Sequence, residues 1–170
     1  LRMAVSLLES GQDAGRGNLL GVQPWVVAAD YASQSSFRDK LAGYLEIASG
    51  HGWLGPRTII VWPEYIGTWL AVAETAAAVI RARTLTGAMR AVAIRHFPGL
   101  LRAFFATPER DRLAGAIFRT RARAMALHYQ AVFSGLAREY AVTMVAGSTV
   151  LPSPKVAGGS VTAGDGPLYG

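Results

Sequence analysis

Hydrophobic and polar positions along the chain follow two periods. Leu19–Gln23, Thr58–Trp62 and Val142–Ser148 are short runs rich in β-branched and apolar residues, and each reads as a strand. The second and third are continuously apolar, the pattern of strands buried on both faces. Pro24 breaks the exit of the first, and Pro63 ends the second, because proline has no N–H to give to a ladder. Between these runs the period becomes helical. Phe37, Leu41, Tyr44, Leu45 and Ala48 form one apolar stripe, opened by Ser36 with Asp39 as a capping box and stopped by Gly50. Residues 68–105 are helical in composition, with breaks expected near Gly87 and at Pro98-Gly99. Thr107-Pro108-Glu109 then restarts a helix, with threonine as its cap.

That last helix is long. Leu113, Ile117, Met125, His128, Val132 and Leu136 lie near one face, with Phe118, Tyr129, Phe133 and Tyr140 beside it and Arg112, Arg119 and Arg123 on another. It is expected to end near Tyr140. Strands separated by helices predict an α/β chain with the strands side by side in one sheet. The helices over Phe37–Ala48 and Leu113–Leu136 should cover one face and leave the other open. Flanking this unit, 1–17 reads as a tail with a glycine-rich end from Asp13 to Asn18. Its apolar start is read as an ordinary frayed terminus rather than the remnant of a leader. Pro152 to Gly166 reads as a Pro/Gly/Ser-rich loop. The chain stops at Leu168-Tyr169-Gly170 with no closing element, which suggests that the domain over 18–170 continues further.

Composition narrows the chemistry. Of 170 residues, 51% are hydrophobic and 16% charged, too apolar for a disordered chain. No run approaches the roughly 18 apolar residues of a membrane span. There is no cysteine, so disulfides, thiolate metal sites and a thiol nucleophile are excluded within these residues. His51, His96 and His128 have no close carboxylate spacing, and no metal or cofactor is expected. Glu64 is the residue of interest. It follows Pro63 just past a buried strand, where a loop on a rigid scaffold can carry chemistry.

Three segments in order resemble the nitrilase superfamily of carbon–nitrogen hydrolases. Leu20-Gly21-Val22-Gln23 is similar to the family's opening strand with its glutamine. Ile60-Val61-Trp62-Pro63-Glu64-Tyr65 is similar to its strand ending in Pro-Glu before an aromatic. Leu136-Ala137-Arg138-Glu139-Tyr140, followed by Met144-Val145-Ala146-Gly147-Ser148, is similar to its helix-to-strand passage. Gly166-Pro167-Leu168-Tyr169 resembles the approach to the next strand, with Gly170 where the family has asparagine. The resemblance implies part of an α-β-β-α sandwich, here with an arginine-rich helical insertion at about 71–108. It also implies hydrolysis of a nitrile or linear amide by glutamate, lysine and cysteine, or acyl transfer on the same site.

Only the glutamate maps, onto Glu64, as the general base. The lysine and cysteine would lie beyond Gly170. Lys155 precedes the Gly-Pro-Leu-Tyr segment, whereas the family's lysine follows it, so Lys155 reads as a solvated loop residue. The resemblance further implies a cytoplasmic enzyme that oligomerises when complete.

Charge complicates that picture. Net charge is +6, and ten arginines from Arg81 to Arg123 face only Glu109 and Asp111. The span between Glu64 and Leu136 that holds them is expected to pack on the domain or at a dimer interface. The alternative is a basic helical module that binds a membrane or a protein partner, with Phe97, Leu100, Leu101, Phe104 and Phe105 beside Arg95 and Arg102 on anionic lipid. Nucleic acid is not expected as a partner, since lysine is scarce and no reading motif is present.

Overall fold

The computed structural model describes residues 5–12, 14–74, 84, 87, 94 and 97–170, with nothing of the Phe97 side chain. It is a mixed α/β chain. The three expected strands, β1 (Asn18–Gly21), β2 (Thr58–Val61) and β3 (Thr143–Val145), form one parallel sheet with β2 in the middle. Their register sets Leu20, Ile60 and Met144 in one row and Leu19, Ile59 and Thr143 in the next. Side chains alternate across a sheet, so the first row points inward. Ile60 is fully buried there.

Helix α1 (Gln34–Gly50) connects β1 to β2 and buries Phe37, Leu41 and Leu45. Two further helices, α2 (Phe97–Ala106) and α3 (Arg112–Glu139), lie between β2 and β3. Ile117, Met125, Val132, Phe133 and Leu136 of α3 join the α1 residues, Ile60 and Trp62 in one core. Both helices therefore cover the same face. The other face stays open: Leu19 is 71% exposed, Val145 52% and Ile59 43%. The apolar runs of β2 and β3 are thus half-buried strands rather than strands buried on both sides. A continuous apolar run records what a strand is able to pack against, not how much of it is covered within one chain.

Several helix boundaries differ from expectation. The cap of α1 is Ser33, not Ser36. Ser33 has the extended backbone of a cap, and its Oγ accepts the Ser36 N–H at 3.0 Å. Asp39 turns outward to Arg38 instead of closing a box. The left-handed residue that ends α1 is Gly52, at φ +72°, two positions after the helix. Thr107 does not cap α3 either. It is buried, and its hydroxyl donates back to the Ala103 carbonyl at 2.7 Å, which closes α2. Asp111 caps α3 by accepting the Ala114 N–H at 3.0 Å. Pro98-Gly99 lies within α2 as described, Phe97–Ala106. The break expected near Gly87, and Arg81, Arg83, Arg90 and Arg95, lie in a stretch mostly outside the described residues.

The segment read as loop over Pro152–Gly166 contains a hairpin, β5 (Lys155–Ala157) and β6 (Ser160–Thr162). Gly158 and Gly159 both have positive φ, as a two-residue hairpin turn requires. At its base, β4 (Leu151–Pro152) pairs with β7 (Leu168–Tyr169). The strands are too short for alternation to show in sequence.

Candidate active site

Glu64 lies beyond the carboxyl end of the central strand β2, the end of a parallel sheet at which ligands are usually bound. The turn that carries it runs from Trp62 to Gly67 and is tied down from three directions. Trp62 N–H continues the ladder to the Val145 carbonyl at 3.0 Å. After β3, Ser148 takes two bonds: its Oγ accepts the Tyr65 N–H at 2.9 Å and its carbonyl accepts the Gly67 N–H at 3.0 Å. From the 3-10 turn Ala28–Tyr31, the buried Tyr31 hydroxyl donates to the Ile66 carbonyl at 2.9 Å.

Gly147 explains why this approach is so close. It has φ +71°, and a Cβ there would stand 2.2 Å from the Pro63 carbonyl oxygen and 2.8 Å from Ile66 Cγ2. Only glycine fits both the backbone angle and the space. Its own carbonyl accepts the Tyr129 hydroxyl of α3 at 2.9 Å. Tyr65 itself sits at φ +60°, a strained angle for a residue with a side chain. Burial pushes the Tyr129 phenol above its ordinary pKa. The Tyr31 phenol is raised further, first by burial and then by the charge of Asp30. Both therefore stay protonated and available as donors.

Glu64 and Ser148 are thus brought to one place, as their positions past β2 and β3 suggested. Glu64 is exposed, and it makes no hydrogen bond or ion pair with a described residue. Pro63 turns the chain away from the core just after the buried Trp62, and no described element covers the carboxylate from above. A cavity of about 680 Å³ lies at the opposite, amino ends of the strands, lined in part by Asn18, Trp53, Arg57 and Thr58. Another of about 280 Å³ is lined in part by Gln23, Tyr44 and Trp53. Glu64 borders neither. Lys155 is exposed on the hairpin. Gly170 comes close to the site, where a Cβ would stand 3.1 Å from Tyr65 Cε1.

No family model, curated protein or solved structure matches this chain.

A second polar cluster lies on the helical side. Arg121 is 7% exposed, and it donates to the carbonyls of Ala71 at 3.2 Å and Ala73 at 2.8 Å. Burial lowers its pKa, and nearby Glu74 raises it in part. His128 Nδ1 meets Gln34 Oε1 at 2.8 Å, while its Nε2 stands 3.1 Å from Glu74 Oε1, off the line of a hydrogen bond. Arg119, expected on a polar face, is paired with Glu109 and donates to the Gly166 carbonyl at 2.9 Å. Arg119 thus ties α3 to the Gly166 segment, and Arg121 ties it to the Ala71–Ala73 segment.

Proposed function

We propose that this chain supplies the general base of a carbon–nitrogen hydrolase of the nitrilase type, and that Glu64 is that base. The observation that carries the reading is the turn at Trp62–Gly67. It holds a strained residue and a close glycine contact, is bonded to β3, the loop after it and the 3-10 turn, and presents one carboxylate with no hydrogen bond or ion pair to a described residue. Strain of this kind persists only where the surroundings impose it, and it gathers at functional sites.

In this reading the thiol and the oxyanion-stabilising lysine belong to chain outside these 170 residues, which contain no cysteine. Glu64 would take the thiol proton as sulfur attacks the nitrile or amide carbon. On an amide it would return that proton to the leaving nitrogen as the C–N bond breaks. On a nitrile the proton would go to the nitrogen of the thioimidate, whose nitrogen leaves as ammonia after water adds. Water would then cleave the thioester and restore the thiol. The open face of the sheet supports the same reading, because a second sheet packed on Leu19, Ile59 and Val145 would complete a sandwich.

The test uses the complete protein with a nitrile and linear amide panel. Glu64→Gln keeps the shape and removes the basicity, so turnover should fall by about a hundredfold or more with the fold unchanged. Near-full turnover in that variant would assign Glu64 a structural role. Activity from the cysteine-free 170 residues alone would overturn the thiol mechanism.

A further inference from the structure

Helix α2 is apolar on two sides. Leu100 is buried, and Ala103 and Phe104 pack against the core that includes α3. Pro98, Leu101, Arg102 and Phe105 recur at the same helical spacing on the opposite side, and all four are exposed. Phe105 is 74% exposed and Leu101 46%. A helix that is apolar all round is normally buried all round. Here Phe105 meets the ring of the neighbouring Phe104 edge to face, and the stripe as a whole stays exposed.

The charges on the helix and on the chain that follows it are mainly of one sign. Between Phe97 and Arg123 stand six arginines against Glu109 and Asp111. Glu109 is held by Arg119, and Asp111 is occupied as the cap of α3. Arg121 is buried on backbone carbonyls. Arg102, Arg110, Arg112 and Arg123 remain exposed, with no ion pair to a described residue. Arg102 lies within the apolar stripe itself, between Leu101 and Phe105 in sequence.

We propose that the outer stripe of α2, with Arg102, Arg110 and Arg112, is a docking surface for an anionic lipid bilayer. Leu101 and Phe105 would enter the boundary between headgroups and acyl chains, and the guanidinium groups would meet the phosphates. Arginine suits that role because its planar fork binds phosphate oxygens in pairs and sheds water more readily than lysine. One helix of ten residues offers a narrow strip, the shape of an interfacial anchor. No helix among the described residues is long and apolar enough to cross a membrane, so the association would be peripheral.

The experiment is co-sedimentation of the 170-residue protein with phosphatidylcholine vesicles, with and without phosphatidylserine, at low and high sodium chloride. Binding should favour the acidic vesicles by about tenfold or more and weaken with salt, as screening shortens the reach of exposed charges. Leu101→Ser/Phe105→Ser and Arg102→Glu/Arg112→Glu should each lose most of that binding, with circular dichroism and melting unchanged. Equal binding to both vesicle types overturns the proposal, as does binding to neither. Full binding by both folded variants does so as well. Dimers that Phe105→Ser dissociates, without vesicle binding, would assign the stripe to a second copy of the chain. The wild-type comparison needs no variant, so a misfolded variant leaves the test intact.

Discussion

The turn that carries Glu64 is held by hydrogen bonds to β3, to the loop after β3 and from the 3-10 turn, whereas α2 is held by apolar contact along one stripe and leaves its other stripe in solvent. In the turn, backbone groups are answered within the chain, and the backbone that carries Glu64 is fixed while its side chain extends into solvent. In α2 the helix satisfies its own backbone, Phe105 leans on the neighbouring Phe104 ring, and Arg102 has no ion pair with a described residue. The first arrangement suits a proton transfer, which fails if the base moves by an ångström. The second suits a soft, extended partner to which many side-chain positions are equivalent.

Substitutions can break that contrast. Gly147→Ala should have the largest effect. It forces a Cβ at positive φ into the Pro63 carbonyl, and a cost above about 3 kcal/mol in urea unfolding is expected. A smaller loss would mean that the turn gives way easily and Glu64 is not rigidly placed. Arg121→Met removes the donor from two backbone carbonyls and should cost about 2–3 kcal/mol. If it costs nothing, the carbonyls are reached by water and the α3 side is looser than described.

Alkali probes the turn by another route. Tyr31 has its folded pKa raised above the ordinary phenol value of 10, and Tyr129 is shifted the same way. Their contribution is therefore complete below pH 10 and is lost as pH climbs through the raised values, because the unfolded chain ionises first. Urea midpoints should fall above pH 10, less steeply in Tyr31→Phe. An identical slope in that variant would remove Tyr31 from the account. Ser148→Ala deletes the acceptor for the Tyr65 N–H and should cost about 1 kcal/mol. Phe105→Ser, at the other end of the scale, should change unfolding stability by less than about 0.5 kcal/mol. A large loss there would show that the outer stripe of α2 is covered after all.

Much of this was legible in sequence, for physical reasons that differ by element. The three strands and the α1 and α3 stripes were readable because burial of Ile60, Leu41 and Leu136 demands apolar residues at fixed intervals. Glu64 was legible as a position through Pro63, but its exposure was not, since nothing local encodes what lies above a turn. The caps were misread where two serines or a threonine and an aspartate compete within a few residues. The winner depends on which backbone is extended. The hairpin at Lys155–Thr162 gave no period because each strand spans three residues. Arg121 looked like its neighbours, and only the fold reveals that its partners are the carbonyls of Ala71 and Ala73.

The sheet also has a history in time. β1, α1 and β2 are adjacent in the chain, so that unit can close soon after synthesis. β3 pairs with the far side of β2, joining Ile59 to Thr143 across both intervening helices. A parallel pairing of such long range forms slowly, because the loop must be closed before the contact repays it. Until residue 145 emerges and docks, the central strand has a bare edge as well as a bare face. The nascent chain therefore passes through a period in which Thr58–Val61 can pair with a stranger, and chaperone dependence during expression should exceed what the finished core would suggest.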